Sequence, residues 1–407
     1  MTRVAITGIG VIAPGGFGID AFRGFLAAGE TATRPVDRFD TTGLRAHNAA
    51  VVDGFQPRDF IAPMKLRRMN MLSRFSLAAA KLALADAAVH AATLAAGPAG
   101  IAFGTAFGPV QTSVDYLQEY VEKGAALAPP QLFAESVANA PGSHIAIELG
   151  FRGFNITITQ RESSAVAAAM YACTQIVKGV PAAMIGGVEG ASEMLFSVLD
   201  RLGALAHAEG ETSECSRPFD RRRNGMVLGE GSAVLLAENA TAAAARAKIY
   251  GWLSGFGIAR DTSASTSDWG DGADAVAAAM QRAVDDAGIG LDAIDAIFAS
   301  ANSNRRADRL EWQAIEALFG EHIPPVVATK GLFGEYAAGG ALPLVAALVA
   351  IKEQALPGSC GFEEGDEGMR IRVTRARTPS RLRHVLLNTV SAGGGIVCCV
   401  VSRDGNE

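Results

Sequence analysis

Cysteine is scarce in this chain of 407 residues. The five thiols are Cys173, Cys215, Cys360, Cys398 and Cys399. Their odd number and the lack of a C-x-x-C spacing exclude a disulfide framework and a zinc site. Reduced thiols of a cytoplasmic protein are the expectation. Long apolar runs are also missing. The longest, ALPLVAALVAI at 341–351, is about half of a membrane span, so no membrane association is expected. Basic runs are short as well. The densest, Arg221 to Arg223, stands alone in a chain of net charge −6, which argues against a nucleic-acid partner. The opening MTRVAITGIGVIAPGG reads as a strand and carries no signal-peptide pattern. No metal and no cofactor are expected.

What is present suits a large packed body. Hydrophobic residues make up 49% and charged ones 19%, ample for a core. The length implies two domains or one duplicated one. Short apolar runs, such as VAITGIGVI, GIAFGTAFG, AAMIGGVEG, SAVLLAE and HVLLNTV, read as buried parallel strands. Ala-rich helical stretches lie between them, among them AVAAAMYACTQIVKG, ADAVAAAMQRAVDDAG and LPLVAALVAIKEQ. This alternation predicts an α/β protein. A strand near Val4 and another beginning near Lys248 each open a β/α series. Two similar halves, 1–247 and 248–407, are therefore expected, packed without a linker. The irregular stretch 30–63 reads as loops and short helices.

One stretch carries a chemical question. Asn155 to Met170 reads NITITQRESSAVAAAM: a strand, a polar knot, then a small-residue helix. Such a sharp strand-to-helix turn is where many α/β enzymes display a nucleophile. The knot here offers Glu162 and no cysteine. A carboxylate at a helix start suits the dipole and the free N–H groups there. Glu162 is thus expected as a buried acid tied to Arg161 or to a backbone N–H.

From end to end the chain resembles a beta-ketoacyl synthase of the thiolase superfamily. The landmarks are VAITGIGVIAPGG, GTAFG near 104, RGFNITIT at 152, RPFDRRRNGMVLGEGSAVLLAE at 217–238, VVATKGLFGEYAAGGA at 326–341 and NTVSAGGG at 388–395. The resemblance implies a five-layered α-β-α-β-α duplication with two mostly parallel sheets, and a dimer. It also implies a Cys-His-His catalytic set, which this chain lacks. Glu162 stands for the Cys. Ser300 stands for the first His in SANSNRRAD, and Glu335 for the second in TKGLFGE. A condensation through a thioester needs a thiolate and neutral imidazoles, so no catalytic residue is expected. Asp308, Glu311 and Lys330 remain and are expected as a buried ion-pair network.

Loss of the set on a kept scaffold resembles the chain-length factor, or ketosynthase-beta subunit, of bacterial type II polyketide synthases. That likeness implies two partners: a catalytic ketosynthase-alpha subunit and an acyl carrier protein. It implies that the helix over 109–124 lines the partner's acyl tunnel, with Val110, Ser113 and Leu117 as gating positions and Tyr116 and Phe133 beside them. Glu162 departs from the Gln usual there. That departure and the small gate favour a polyene product over an aromatic one. An independent homodimeric hydrolase or decarboxylase using Glu162 and Glu335 is the different-class alternative.

Overall fold

The computed structural model describes residues 3–404. Its main strands are β1 (Val4–Ala13), β2 (Gly100–Gly104), β3 (Asn155–Ile158), β4 (Ala182–Glu189), β5 (Gly231–Glu238), β6 (Gly251–Arg260), β7 (Ala296–Phe298), β8 (Val326–Val327), β9 (His384–Val390) and β10 (Gly395–Ser402). The helices that matter here are α1 (Met71–Asp86), α2 (Val110–Lys123), α3 (Pro130–Ser136), α4 (Ala140–Leu149), α5 (Ser164–Val177), α6 (Ala273–Ala287), α7 (Arg305–Phe319) and α8 (Leu342–Glu353).

The strands follow the order β8-β7-β9-β10-β6-β1-β5-β4-β2-β3. Two sheets were expected. Instead β1 and β6 bond edge to edge over three residue pairs, Val4 to Ile6 against Gly251 to Leu253, and join the halves in one ribbon of strands. Parallel pairing holds for the outer three strands of each half. The inner strands β9, β10, β6, β1, β5 and β4 pair antiparallel in turn. The sequence could not separate these cases, because a strand covered on both faces reads as a continuous apolar run whichever way its neighbour runs.

Alternation along each strand sorts side chains into layers. From β4, Ala183 and Ile185 face the central cluster, whereas Met184 and Val188 face the outer one. The central cluster holds α5 and α8. The cluster around α1 closes one outer face, and that around α6 and α7 closes the other. The adjacent Cys398 and Cys399 of β10 split between the α6–α7 layer and the central one. This is the expected α-β-α-β-α stacking.

The halves repeat each other in detail. A Cβ on Gly8 or Gly10 of β1 would collide with the carbonyl oxygens of Ala83 and Ala79 on α1. A Cβ on Gly255 or Gly257 of β6 would collide with those of Ala283 and Ala279 on α6. The residue between each glycine pair donates its N–H to the end of the facing helix: Ile9 to Asp86 Oδ2 at 2.8 Å, and Phe256 to Asp286 Oδ2 at 2.9 Å. Glycine is required at these positions because the helix backbone takes the place of a side chain.

The stretch 30–63 is mostly loop with a 3-10 turn at Pro57–Asp59, as expected, but it is not only that. It contributes two short strands, Arg34–Pro35 and Asn48–Ala50, which pair with each other and with Leu228–Gly229. Strands of two or three residues leave no periodic signal in the sequence. No helix among the described residues is long and apolar enough to cross a membrane.

Candidate functional site

β3 delivers the chain to the elbow and α5 carries it away. Between them Arg161 adopts φ 46°, in the left-handed region, and Glu162 follows in a single 3-10 turn. The turn is pinned from the C-terminal half. Ser163 N–H and the Gln160 carbonyl both meet Ser391 Oγ, at 3.1 and 2.9 Å. Ser391 begins the SAGGG loop joining β9 to β10.

Glu162 is 1% exposed. Its Oε1 accepts the Tyr336 hydroxyl at 2.8 Å, and its Oε2 accepts the Ala392 N–H at 3.1 Å. A backbone N–H partner was expected, but it comes from a distant loop and not from the helix start. Arg161 is not the counter-ion. Its guanidinium lies over the Phe107 ring, 5.9 Å from the centroid. Burial, and then the Glu335 charge, push the Glu162 carboxyl up to about 7.

Glu335 sits next door and is equally buried. Lys330 Nζ and Asn302 Nδ2 both donate to its Oε2 at 2.7 Å, and the Tyr336 N–H donates to Oε1 at 2.8 Å. Tyr336 itself has φ 66°. That turn aims its hydroxyl at Glu162 while its ring meets Phe107 edge-on at 4.9 Å. Ser300 is the third position that the sequence resemblance singled out. Its N–H donates to Glu311 Oε1 at 2.8 Å, and its hydroxyl oxygen accepts the Val390 N–H at 2.9 Å.

Asp308, Glu311 and Lys330 are all buried, but they bond to different partners. Lys330 pairs with Glu335. Asp308 accepts the N–H groups of Phe219, Asn302 and Ser303 and lies 3.5 Å from Arg223 Nε. Glu311 accepts from Ser300 and Asn388, and burial raises it to about 7. Its other oxygen, Oε2, meets no hydrogen-bond partner among the described residues.

The expected gate is placed less uniformly. Val110 packs against the cluster of Leu195, Phe196 and Tyr336 and lines a cleft of about 620 Å³ together with Phe39, Leu72 and Leu132. Ser113 turns its hydroxyl to the carbonyls of Pro109 and Ser136, each at 3.2 Å. Leu117 and Phe133 are exposed, and Tyr116 packs on Phe133 with ring centroids 5.5 Å apart. Residue-by-residue reading missed Tyr336, Phe107, Asn302, Ser391 and Ala392. Their signal was position alone: Tyr336 follows Glu335, and the other four lie in or beside the recognised landmark runs.

A duplicated five-layer body with a strand-to-helix elbow at its centre is a thiolase-like fold. Residues 1–242 match the model of the beta-ketoacyl synthase N-terminal domain, and residues 250–363 that of the C-terminal domain. The chain is 31% identical to a putative polyketide beta-ketoacyl synthase 1 of Streptomyces cyaneus, over 97% of this chain and 96% of that one. It is 28% identical to a 3-oxoacyl-[acyl-carrier-protein] synthase 2 of Vibrio cholerae, over 96% and 97%. Among solved structures, the ishigamide ketosynthase/chain length factor matches with a TM-score of 0.90 at 28% identity, covering 99% of each chain. The chain belongs to the beta-ketoacyl synthase family.

Proposed function

We propose that this chain is a non-catalytic chain-length factor of a type II polyketide synthase. It pairs with an active ketosynthase and shapes that subunit's acyl tunnel, to which an acyl carrier protein brings acyl and malonyl groups. The observation that carries this reading is the pairing of polar groups at the elbow. Glu162, Glu335 and Ser300 spend their hydrogen-bonding atoms on Tyr336, Ala392, Lys330, Asn302 and Val390. No thiol or imidazole stands at any of the three positions. The relatives named for polyketide synthesis support the pathway, and the ketosynthase/chain length factor structure supports the pairing.

In this reading α2 floors the partner's tunnel through Val110, Ser113 and Leu117, with Tyr116 and Phe133 alongside. The absence of aromatic rings at the first three favours a flat apolar polyene over a poly-beta-ketone. The two halves meet at 247/248, and Asp308, Glu311 and Lys330 serve as framework. A homodimeric hydrolase or decarboxylase is the second reading. The raised carboxyl of Glu162 favours it, since a group near 7 suits acid–base work. Complete burial, with both oxygens taken by donors, weighs against it.

Co-expression with and without the ketosynthase of the same system separates the readings. The chain-length factor gives a 1:1 heterodimer and no condensation by itself. A soluble homodimer that hydrolyses acyl carrier protein thioesters, and loses that activity in Glu162→Gln, would establish the second reading.

A further inference from the structure

Strand β3 ends the sheet. It bonds to β2 on one side, and no described strand lies along its other edge. Such an edge is a template for another strand, and natural edges are blunted by proline, lysine or a bulge when they must stay free. Asn155–Ile158 is short, at four residues, but carries none of these. Charge stands at the two ends instead. Arg152 lies three residues before the strand and is exposed; Arg161 lies three residues after it and is half-buried. Neither guanidinium makes a hydrogen bond or ion pair with a described residue, and that of Arg161 rests over the Phe107 ring.

We propose that Arg152 and Arg161 select the strand that β3 accepts: one flanked by carboxylates at both ends, and not a second copy of this chain. The proposal rests on the heterodimer reading above. A two-fold self-pair along this edge is antiparallel. Centred between Ile156 and Thr157, it brings residues equidistant from that centre face to face. Arg152 of one copy then falls in register with Arg161 of the other, three residues beyond the strand at each end, twice over. Four guanidiniums on one seam with no counter-ion oppose self-pairing, because like charges across a strand pair repel. Asp or Glu at the matching ends of a different chain turns both repulsions into ion pairs. Arg161 is suited to this, since its stacked guanidinium loses little freedom when a carboxylate arrives.

The test needs only this chain at first. Arg152→Glu sets a carboxylate opposite Arg161 of a second copy at both ends of the self-pair. Arg152 is exposed, so the core is untouched, and circular dichroism checks the fold. Sedimentation velocity at low salt should give self-association at least about tenfold tighter than wild type. Arg161→Glu should do the same. The double variant Arg152→Glu/Arg161→Glu should return to the wild-type level, because like charges oppose again. Each single variant should also bind the catalytic ketosynthase more weakly. A double variant that self-associates as tightly as the singles overturns the proposal, and so do singles that behave as wild type. If the wild-type chain is itself a stable homodimer at micromolar concentration, the heterodimer reading fails as well. If wild type is monomeric and the singles do not respond, only the arginine proposal fails.

Discussion

The Tyr336 hydroxyl donates to Glu162 Oε1 at 2.8 Å across 174 residues of chain. This bond ties the elbow of the N-terminal half to the loop after Lys330 in the C-terminal half. Glu162, at the turn from strand to helix, is thereby made a buried acceptor.

The first prediction is chemical. The purified chain should condense no acyl and malonyl groups from carrier proteins, and mass spectrometry should find no acyl group that it passes to product. Glu162→Cys alone should restore nothing. The new thiol would face the Tyr336 hydroxyl and a Glu335 carboxylate, without an imidazole to take its proton. Turnover by that variant would refute this account of the site.

A second prediction concerns pH. The Glu162 carboxyl lies at about 7 in the folded chain against an ordinary 4.5. A raised acid favours the folded state while it keeps its proton, so its contribution is fully present below about 4.5 and is lost as pH rises through about 7. Glu311 and Glu189 are raised to about 7 in the same way. Glu162→Gln should therefore gain stability relative to wild type as pH rises, on the order of 2 kcal/mol between mildly acidic and mildly alkaline buffer. Denaturant titrations of both proteins at several pH values would read this. A difference that does not change with pH would count against it.

The buried Lys330–Glu335 pair supplies a third. Lys330→Met leaves the Glu335 carboxylate buried with Asn302 and a backbone N–H as its donors. The loss should be about 3–5 kcal/mol. Adding Glu335→Gln should recover a large part of it, because the uncompensated charge is gone. Chemical denaturation of the two variants measures both steps, and equal losses would show that packing, not charge, sets the cost.

The fourth concerns chain length. Leu117 is exposed on α2, so Leu117→Trp leaves the chain's own core intact. In the heterodimer it should shift product to fewer carbons while starter is consumed at the normal rate. An unchanged product distribution from an intact heterodimer would place the tunnel floor elsewhere. Ser113→Phe is the less clean variant, because Ser113 holds the carbonyls of Pro109 and Ser136.

The layers were legible before the structure because Gly-ended apolar runs and Ala-rich helices alternate throughout. Strand direction was not. Both faces of β1, β5 and β10 are covered, which erases the alternation that would mark an antiparallel sheet. Glu162, Ser300 and Glu335 were readable as identities, and the structure brings Glu162 and Glu335 into one buried cluster. What they bond to was not readable. Tyr336 reaches Glu162 only because its backbone turns left-handed, and nothing in GEYAAGG announces a φ of 66° for a tyrosine. Ala392 contributes an N–H, which any residue but proline would supply. Arg161 looked like the natural counter-ion from its neighbouring place in the chain. The turn sends it to Phe107 instead.

The glycine contacts of β1 and β6 with their facing helices carry a consequence for how such a molecule can change. At Gly8, Gly10, Gly255 and Gly257, helix and strand touch backbone to backbone. The spacing of the layers there owes nothing to side-chain chemistry at the elbow. Polar residues around Glu162 can be exchanged for any set that satisfies its own donors and acceptors, and the outline of the body stays the same. Selection on reactivity and selection on shape then act on separate residues. A descendant of this scaffold can fall chemically silent and still offer its neighbours an unaltered silhouette.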